Sequence, residues 1–531
     1  SDAQWSASTD GITWNPATAM GGYGNAPWGT MNTRSLPARH LRKEFTVDPA
    51  KQVSRATAYV CGLGFFDLFL NGQEVSDHVM DPAISDYTKA AYYVTFDITN
   101  QVNANANAIG VMLGNGRFLA PRFREPAITQ NFGFPKMMVE LEIEYTDGSK
   151  SKVISDETWR MSDRGPIRRN NEFDGEEYDA RTEFSGWDSA GFNDTLWESA
   201  QLMAAPGGAI KSQMIEPMKI TQIIQPVSVT NPAPGKYIVD MGESFYGTVR
   251  IKASGPAGTK INMVSAYSLN PDGTLKTADN RGALSTDTYI FKGQGLEVWN
   301  PRFKGQGFRR LEVTGFPGIP TVANFEGLVI NTAAEAVGNF ESSNALINQT
   351  HAALYRGMRM FLRSAPLDPD RDERQAWMGD PAKNAESQAY NFNVAAFYTK
   401  WMDDVHRSQR PDGSIPDIAT FWNWGEGVEW ASVFTIIPDW FVEFYGDHRL
   451  PNTHYSAMKT WVLAMRKHEQ PDGTFSATSY EFDSASSSSS TQCRTGVVVP
   501  LCRCWMQPML AEMMVWASSG ARLASLRSRS W

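Results

Sequence analysis

The spacing of apolar residues changes near position 335, and this change divides the chain into a β-rich part and a helical part. Between about 40 and 330 the chain consists of short alternating runs, of which 136–145 is the clearest, with turn residues about every 8–12 residues. Asn71-Gly72 and Asp147-Gly148 are dipeptides that favour tight hairpin turns. This pattern is typical of antiparallel β-sandwiches.

Beyond position 335 the apolar residues recur with the period of an α-helix, and four helices are predicted. The candidate N-cap of the first helix is Ser342, Ser343 or Asn344. The apolar face of the first helix carries Leu346, Ile347, Leu354, Met358 and Phe361. The other three helices are expected at about 381–408, 428–445 and 453–467.

The length of the chain requires more than one hydrophobic core. At about 100–200 residues per domain, 531 residues predict three or more domains. The expected regions are a first β-sandwich region at 1–225, a second β-sandwich at 226–334, a helical domain at 335–475 and an atypical tail at 476–531. The tail contains a serine run and the cysteines Cys493, Cys502 and Cys504.

Charge and composition exclude several classes of function. The chain has 49 Lys and Arg against 58 Asp and Glu, a net charge of −9, which argues against nucleic acid as a partner. No apolar run approaches the roughly 18 residues of a membrane span, so we expect no membrane partner. The three tail cysteines lack a following histidine and zinc-site spacing, so we expect no metal and no cofactor. No export signal is present, yet we expect a periplasmic or secreted protein, with a cytoplasmic one as the alternative.

The segment 365–380 has the highest density of chemically reactive side chains. Its carboxylates raise one another's pKa values while its arginines lower them, so one acid can stay protonated while others are ionised. Glycosidases need such a pair of acids in different protonation states. The alternative is a solvated, salt-bridged start of a helix. The charged residues of the segment are Asp368, Asp370, Arg371, Asp372, Glu373, Arg374 and Asp380.

Tryptophan is concentrated in the same part of the chain. Trp401 and Trp440 fit helix faces and are expected in the core, whereas Trp422 and Trp424 follow Pro416 in a predicted loop. Aromatic rings in loops can stack on sugar faces while keeping a polar edge. Together with the carboxylates they point to carbohydrate chemistry. The tryptophans between positions 377 and 440 are Trp377, Trp401, Trp422, Trp424, Trp430 and Trp440.

The pattern Asp368-x-x-Arg371-Asp-Glu-Arg-x-x-Trp377-x-Gly-Asp380 resembles the catalytic loop of the bacterial α-L-rhamnosidases of glycoside hydrolase family 78. The similarity covers about 40–470. Further motifs that resemble the family lie at 58–64, 70–72, 113–116, 175–181, 240–242, 301–303, 307–309 and 338–340.

The resemblance implies an inverting, exo-acting hydrolase that releases terminal L-rhamnose from glycosides or polysaccharides. It implies an (α/α)6-toroid catalytic domain behind the β-sandwiches. Glu373 would be the general acid, and Asp368 and Asp380 would bind rhamnose hydroxyls. The remaining residues implied in substrate binding are Arg371, Trp377, Trp422, Trp424 and Trp430.

The chain differs from the family pattern after position 475. Twelve helices of about 11–12 residues with their connections need more than about 200 residues. The helical part of the sequence that resembles the family covers only about 140 residues. The toroid is therefore expected to be incomplete, and the general base, a Glu late in the family's toroid, is left unassigned. The alternatives are a non-catalytic carbohydrate-binding protein and a toroid polysaccharide lyase; the lyase is disfavoured by the sharply defined acidic loop.

Overall fold

The computed structural model describes residues 6–7, 12–13, 15–16, 36–120, 131–369, 371–420, 423–469 and 471. Trp422 and the tail 476–531 with its three cysteines lie outside the described residues.

The first half of the described chain consists of β-strands. These strands are β1 (Ser6–Ala7), β2 (Asn15–Pro16), β3 (Arg39–Thr46), β4 (Val53–Leu63), β5 (Phe66–Leu70), β6 (Gln73–Glu74), β7 (Ala90–Asp97), β8 (Ala106–Leu113), β9 (Lys136–Tyr145), β10 (Lys150–Ile154), β11 (Arg160–Ser162), β12 (Ile167–Asn171), β13 (Gly175–Asp179), β14 (Glu198–Ser199) and β15 (Ala209–Ser212).

More strands follow, and then helices. The strands are β16 (Met218–Ile224), β17 (Ser228–Ala233), β18 (Lys236–Ala253), β19 (Lys260–Ala266), β20 (Thr286–Ile290), β21 (Glu297–Trp299), β22 (Gln306–Thr314) and β23 (Phe325–Thr332). The helices are α1 (Ala345–Phe361), α2 (Gly379–Asn391), α3 (Ala395–Ser408), α4 (Val428–Ala431), α5 (Val433–Tyr445) and α6 (Arg449–Met465).

Two sheets with a shared core form the first sandwich. Their strand orders are β10-β9-β4-β7-β15 and β14-β11-β3-β8-β5-β6. In β9 every second side chain is buried, among them Val139, Leu141 and Ile143, because successive side chains in a strand point to opposite faces. The predicted hairpins are both present, at Asn71-Gly72 between β5 and β6 and at Asp147-Gly148 between β9 and β10.

The second β region is a ten-stranded sheet organised around the long strand β18. Its central order is β12-β13-β20-β19-β22-β18-β23-β16, with β17 and β21 also paired to β18. Strands β12, β13 and β16 precede position 226, so the sheet takes strands from both predicted β regions. Most pairs are antiparallel as predicted, but β13 pairs with β20 in parallel and β15 pairs with β7 in parallel.

The helical region begins as predicted but is more interrupted. Asn344 caps α1, and its side chain accepts a hydrogen bond from the N–H of Leu346 at 2.9 Å. The prediction of one helix over 381–408 is wrong, because the chain is extended at Phe392, which bridges to Ala336 and separates α2 from α3. The helix predicted at 428–445 is likewise divided, at Ser432.

The predicted apolar face of α1 is buried only near its C-terminal end. Met358 is buried, whereas Leu346 and Leu354 are exposed. In the described part of the chain α1 packs on α2, β18 and β23. The N-terminal half of this apolar face is therefore exposed in the described part of the chain.

The helices pack directly on the β regions rather than forming a separate body. The largest apolar core joins Tyr87 of the first sandwich to Trp401 of α3. Lys400 on α3 is buried, pairs with Asp404 at 2.7 Å, and donates to the carbonyl of Ile84 at 2.6 Å. The predicted order of β-sandwich domains followed by a helical region is confirmed. None of the helices in the described residues combines the length and apolarity needed to cross a bilayer.

Candidate active site

Asp368 closes the acidic segment into a tight loop. Its Oδ1 accepts a hydrogen bond from the N–H of Gln375 at 2.6 Å, and its Oδ2 accepts one from the N–H of Arg374 at 3.1 Å. The N–H of Asp368 donates to the carbonyl of Gln375 at 3.1 Å. Arg371 and Arg374 have positive φ angles of 57° and 49°, which allow the chain to reverse direction within so few residues.

The second β region holds the outer side of this loop. The N–H of Gly307 on β22 donates to the carbonyl of Pro369 at 2.7 Å. The N–H of Gly282 donates to the carboxylate of Asp372 at 3.1 Å. Arg281, next to Gly282, forms an ion pair with Glu373. The loop is therefore positioned by a different region of the chain from the one that carries it.

Two buried arginines, Arg117 after β8 and Arg374 in the loop, connect the first β region to the loop. Arg374 is 1 % exposed and donates to the carbonyl oxygens of Glu172 and Gly305, the latter at 3.3 Å. Arg117 donates to the carbonyl of Arg374 and pairs with the Glu172 carboxylate at 2.6 Å. The burial of Arg374 excludes the alternative that this part of the segment is a solvated, charged surface. Charged side chains are buried only when they are paired or hydrogen-bonded.

Glu373 lies within electrostatic range of two other carboxyl groups of the segment, those of Asp368 and Asp380. Burial raises the pKa of Asp368 to about 7, and the charge of Glu373 adds to that rise. Burial also raises the pKa of Asp380, in the first turn of α2, and Glu373 again contributes. Asp368 therefore titrates near neutral pH and can either donate or accept a hydrogen bond there.

Glu373 differs from its acidic neighbours in exposure. Its side chain is 30 % exposed, whereas Asp372 and Asp368 are buried. A partly exposed carboxyl beside two buried ones can contact a substrate that enters from solvent. Solvent therefore reaches Glu373 more readily than Asp368 or Asp372.

Two of the predicted tryptophans meet beside the acidic loop. Residue Trp377 is bridged through its backbone to Ile418, and its ring meets that of Trp424 edge-on at 5.5 Å. The ring of Trp430 packs on the backbone of Gly379, next to Asp380; a Cβ there would lie 3.0 Å from the indole. The structure thus brings three of the predicted aromatic residues to the 377–380 turn, while Trp422 is outside the described residues.

Asp417 is a site-shaping residue that the sequence reasoning missed. It is fully buried, and its Oδ1 accepts a hydrogen bond from the N–H of Gly427 at 2.6 Å. Its own N–H donates to the carbonyl of Trp424, and its carbonyl accepts from the N–H of Met378, both at 2.9 Å. Asp417 therefore joins the tryptophan loop to the acidic segment. The sequence feature that could have identified Asp417 is its position directly after Pro416, at the start of that loop.

Arg281 was also missed, because nothing near it in the sequence marks it. It lies 92 positions before Glu373, in a turn with a positive φ of 51°.

Among the described residues, no group of three or more His, Cys, Asp or Glu side chains is arranged to hold a metal ion.

Three family models match the chain in succession. The α-L-rhamnosidase N-terminal domain matches residues 51–222. The bacterial α-L-rhamnosidase concanavalin-like domain matches residues 230–331. The bacterial α-L-rhamnosidase six-hairpin glycosidase domain matches residues 335–484 and so includes the acidic loop.

Individual relatives agree with these models. An α-L-rhamnosidase of Streptomyces avermitilis is 36% identical over 474 residues, which is 86% of this chain and 45% of the relative. The solved structure of that organism's enzyme complexed with L-rhamnose has a TM-score of 0.80 at 35% identity and covers 86% of this chain and 44% of its own. The α-L-rhamnosidase structure from Dictyoglumus thermophilum has a TM-score of 0.77 at 37% identity, with 84% and 50% covered. The chain spans about half the length of these relatives.

Proposed function

The chain belongs to the bacterial α-L-rhamnosidases of glycoside hydrolase family 78, and we propose that its 365–380 segment releases terminal L-rhamnose from rhamnose-containing glycosides or polysaccharides. The observation that carries this proposal is the placement of Glu373. Its carboxyl is partly exposed, and its charge contributes to the raised pKa values of Asp368 and Asp380.

In this proposal Glu373 is the general acid. It donates its proton to the glycosidic oxygen as the bond from that oxygen to the anomeric carbon breaks, so the departing alcohol leaves neutral. Arg281 contacts the same carboxyl and fixes its direction before a substrate enters. Negative charge develops on the leaving oxygen as the bond breaks, and the proton from Glu373 neutralises it.

Asp368 and Asp380 are proposed to bind the hydroxyls of the terminal rhamnose. A hydrogen bond between a hydroxyl and a charged acceptor contributes about 1.5–3 kcal/mol. Trp377 and Arg371 would form walls beside the sugar, with Trp424 and Trp430 extending the aromatic surface.

The inverting course needs a second carboxylate that activates water about 6.5–9.5 Å from the acid. We assign this base to none of the described carboxylates, since Asp368 and Asp380 already have the sugar hydroxyls as proposed partners.

The experiment is hydrolysis of an aryl and an alkyl α-L-rhamnoside by the purified chain, with NMR detection of the first anomer released. We expect L-rhamnose to appear first as the β anomer. Glu373→Gln should lose about 10²–10⁴-fold on the alkyl rhamnoside, and less on the aryl one, whose leaving group needs little protonation. Glu386→Gln, an exposed position on α2, is the matched control.

Two results would count against the proposal. Equal losses on both substrates would remove Glu373 from the acid role. Binding of L-rhamnose without any turnover would favour the alternative of a non-catalytic carbohydrate-binding protein.

A further inference from the structure

Arg363 lies just before the acidic segment and is almost completely buried. Its Nη2 donates to the carbonyl oxygens of Leu367 at 2.7 Å and Asp368 at 2.6 Å. Its Nε donates to the carbonyl of Met360, in the last turn of α1, at 3.0 Å. One guanidinium therefore joins the end of α1 to the two peptide groups that flank the Cα of Asp368.

The second sheet supports this guanidinium from below. The Cζ of Arg363 lies 3.9 Å from the centroid of the Tyr246 ring, a buried residue of β18. Across the sheet Tyr246 is paired with Gly307 of β22, whose N–H donates to the carbonyl of Pro369. A single point of the sheet therefore holds Asp368 in two ways, through Arg363 and through the residue that follows it in the chain.

We propose that Arg363 is a positioning residue for Asp368, and that it determines the affinity for terminal L-rhamnose without taking part in proton transfer. The inference rests on the proposed function, in which Asp368 binds a rhamnose hydroxyl and Glu373 donates the proton. The carboxylate oxygens of Asp368 already accept the N–H groups of Gln375 and Arg374. A carboxylate has about four lone-pair directions, so those that remain for a sugar point where the backbone directs them.

The proposed acid is held by a different arginine. Arg281 of the second β region pairs with the Glu373 carboxylate, whereas Arg363 binds the loop at its Asp368 end. Loss of an interaction that is equal in the ground state and the transition state raises KM and leaves kcat unchanged. Loss of an interaction made only in the transition state lowers kcat. The two arginines should therefore differ in which kinetic constant they control.

The charge of Arg363 acts on Asp368 as well. Burial raises the pKa of Asp368 to about 7, and the charge of Glu373 adds to that rise. The guanidinium of Arg363 and the N–H groups of Gln375 and Arg374 lower the same pKa. Without the guanidinium, Asp368 should become ionised only at a higher pH, and with it the charged acceptor for the sugar hydroxyl.

The experiment compares Arg363→Lys with the wild-type chain by calorimetric titration with L-rhamnose and by kcat and KM on an alkyl α-L-rhamnoside. Lysine keeps the charge but loses the planar fork of donors and the stacking on Tyr246. We expect the dissociation constant and KM to rise about tenfold, which corresponds to the weakening of one charged hydrogen bond. The value of kcat should stay within about threefold of the wild type, because the interaction lost is a binding interaction.

The matched control is Arg42→Lys, at an equally buried arginine of the first sandwich. The Nε of Arg42 donates to the carbonyl of Trp187 at 2.7 Å, and its Nη2 donates to the carbonyl of Ser189 at 3.0 Å. The substitution therefore removes a buried fork from backbone carbonyls without touching the acidic loop. We expect it to lower the unfolding midpoint and to leave both the dissociation constant and KM unchanged.

Arg363→Met tests the contribution of the charge. We expect binding weaker than in Arg363→Lys, and an affinity that rises with pH at a higher midpoint than in the wild type. Arg363→Lys should keep the wild-type midpoint, since it keeps the charge. If the arginine variants do not fold, Tyr246→Leu decides: it leaves Arg363 in place, removes the ring beneath it and should raise KM about threefold.

Two results would overturn the role of Arg363. One is an unchanged L-rhamnose dissociation constant in the variants of Arg363 and Tyr246 that fold. The other is a rise in KM that Arg42→Lys reproduces, since the effect would then follow from the loss of any buried arginine. A wild-type chain that binds L-rhamnose but hydrolyses nothing contradicts the proposed hydrolysis alone, because the binding comparison still decides on Arg363. A wild-type chain that neither binds nor hydrolyses contradicts both.

Discussion

The carboxylate of Glu373 in the helical region is ion-paired with the guanidinium of Arg281 in the second β region. The adjacent N–H of Gly282 binds Asp372 from the same turn, so one short β-region segment contacts two successive acids of the loop. The second sheet is therefore part of the candidate active site. It orients the carboxyl that is proposed to transfer the proton.

Replacing Arg281 should affect turnover far more than stability. The Arg281 side chain is 48 % exposed, and exposed ion pairs contribute about 0–1 kcal/mol to folding. Misplacing a catalytic group by about 1 Å can cost 10²-fold in rate. We expect Arg281→Met to lower kcat on an alkyl rhamnoside about 10- to 100-fold, with Arg281→Lys intermediate and the unfolding midpoint almost unchanged.

The control for this experiment is Arg169→Met, which breaks a pair with Glu177 at 2.9 Å on an exposed surface. It removes the same charge without touching the loop. If Arg281→Met and Arg169→Met reduced turnover equally, the loss would reflect net charge, and Arg281 would have no positioning role.

The sheets were predictable because their signal is local. One face of β9 is buried, so the alternation of its side chains was enough to identify it, and the turn dipeptides identified the hairpins. The break at Phe392 was not predictable, since it depends on pairing with Ala336, far away in the chain.

The same contrast applies to the candidate site. The density of acids marked the segment 365–380, and its resemblance to the family's catalytic loop implied roles for Glu373, Asp368 and Asp380. Local sequence cannot show that Asp368 accepts two backbone N–H groups, or that Arg281 crosses from another region to reach Glu373. Contacts of this kind appear only once the tertiary fold is known.

Asp380 is expected to determine sugar affinity rather than proton transfer. It lies in the first turn of α2, next to the acidic loop, and its oxygens can accept a hydrogen bond from a hydroxyl. Asp380→Asn should weaken L-rhamnose binding by about 10- to 100-fold, the equivalent of a charged hydrogen bond of 1.5–3 kcal/mol. Calorimetric titration of the wild-type and variant chains gives the comparison. Unchanged affinity at the catalytic site would leave Asp380 with only a structural role.

Asp368 should make stability depend on pH near neutrality. Burial raises its pKa from 3.8 to about 7, so the folded chain holds this proton more tightly than the unfolded chain does. The stabilisation is complete below about pH 4 and is lost as the pH rises through about 7. The free energy of unfolding should therefore fall across that interval in the wild type.

Asp368→Asn tests this dependence because an amide does not titrate there. The variant is expected to be less stable at every pH, since its NH2 group must face a backbone N–H. What matters is the slope: the wild-type decline with pH should be steeper than that of the variant in denaturant titrations between about pH 5 and 8. Parallel slopes would show that Asp368 is ionised throughout.

Gly307 should tolerate no side chain, because the acidic loop lies directly on it. A Cβ at this position would collide with the hydroxyl of Tyr267 and lie 2.9 Å from the carbonyl of Pro369. Gly307→Ala must therefore push the loop away from β22, at a cost of about 1–3 kcal/mol. Gly357→Ala in α1 meets no atom within 4 Å and should instead stabilise by about 0.5–1 kcal/mol through helix propensity. The measurements are thermal unfolding and rhamnoside turnover of both variants. A Gly307→Ala chain with wild-type turnover would show that the contact between Gly307 and Pro369 does not position Glu373.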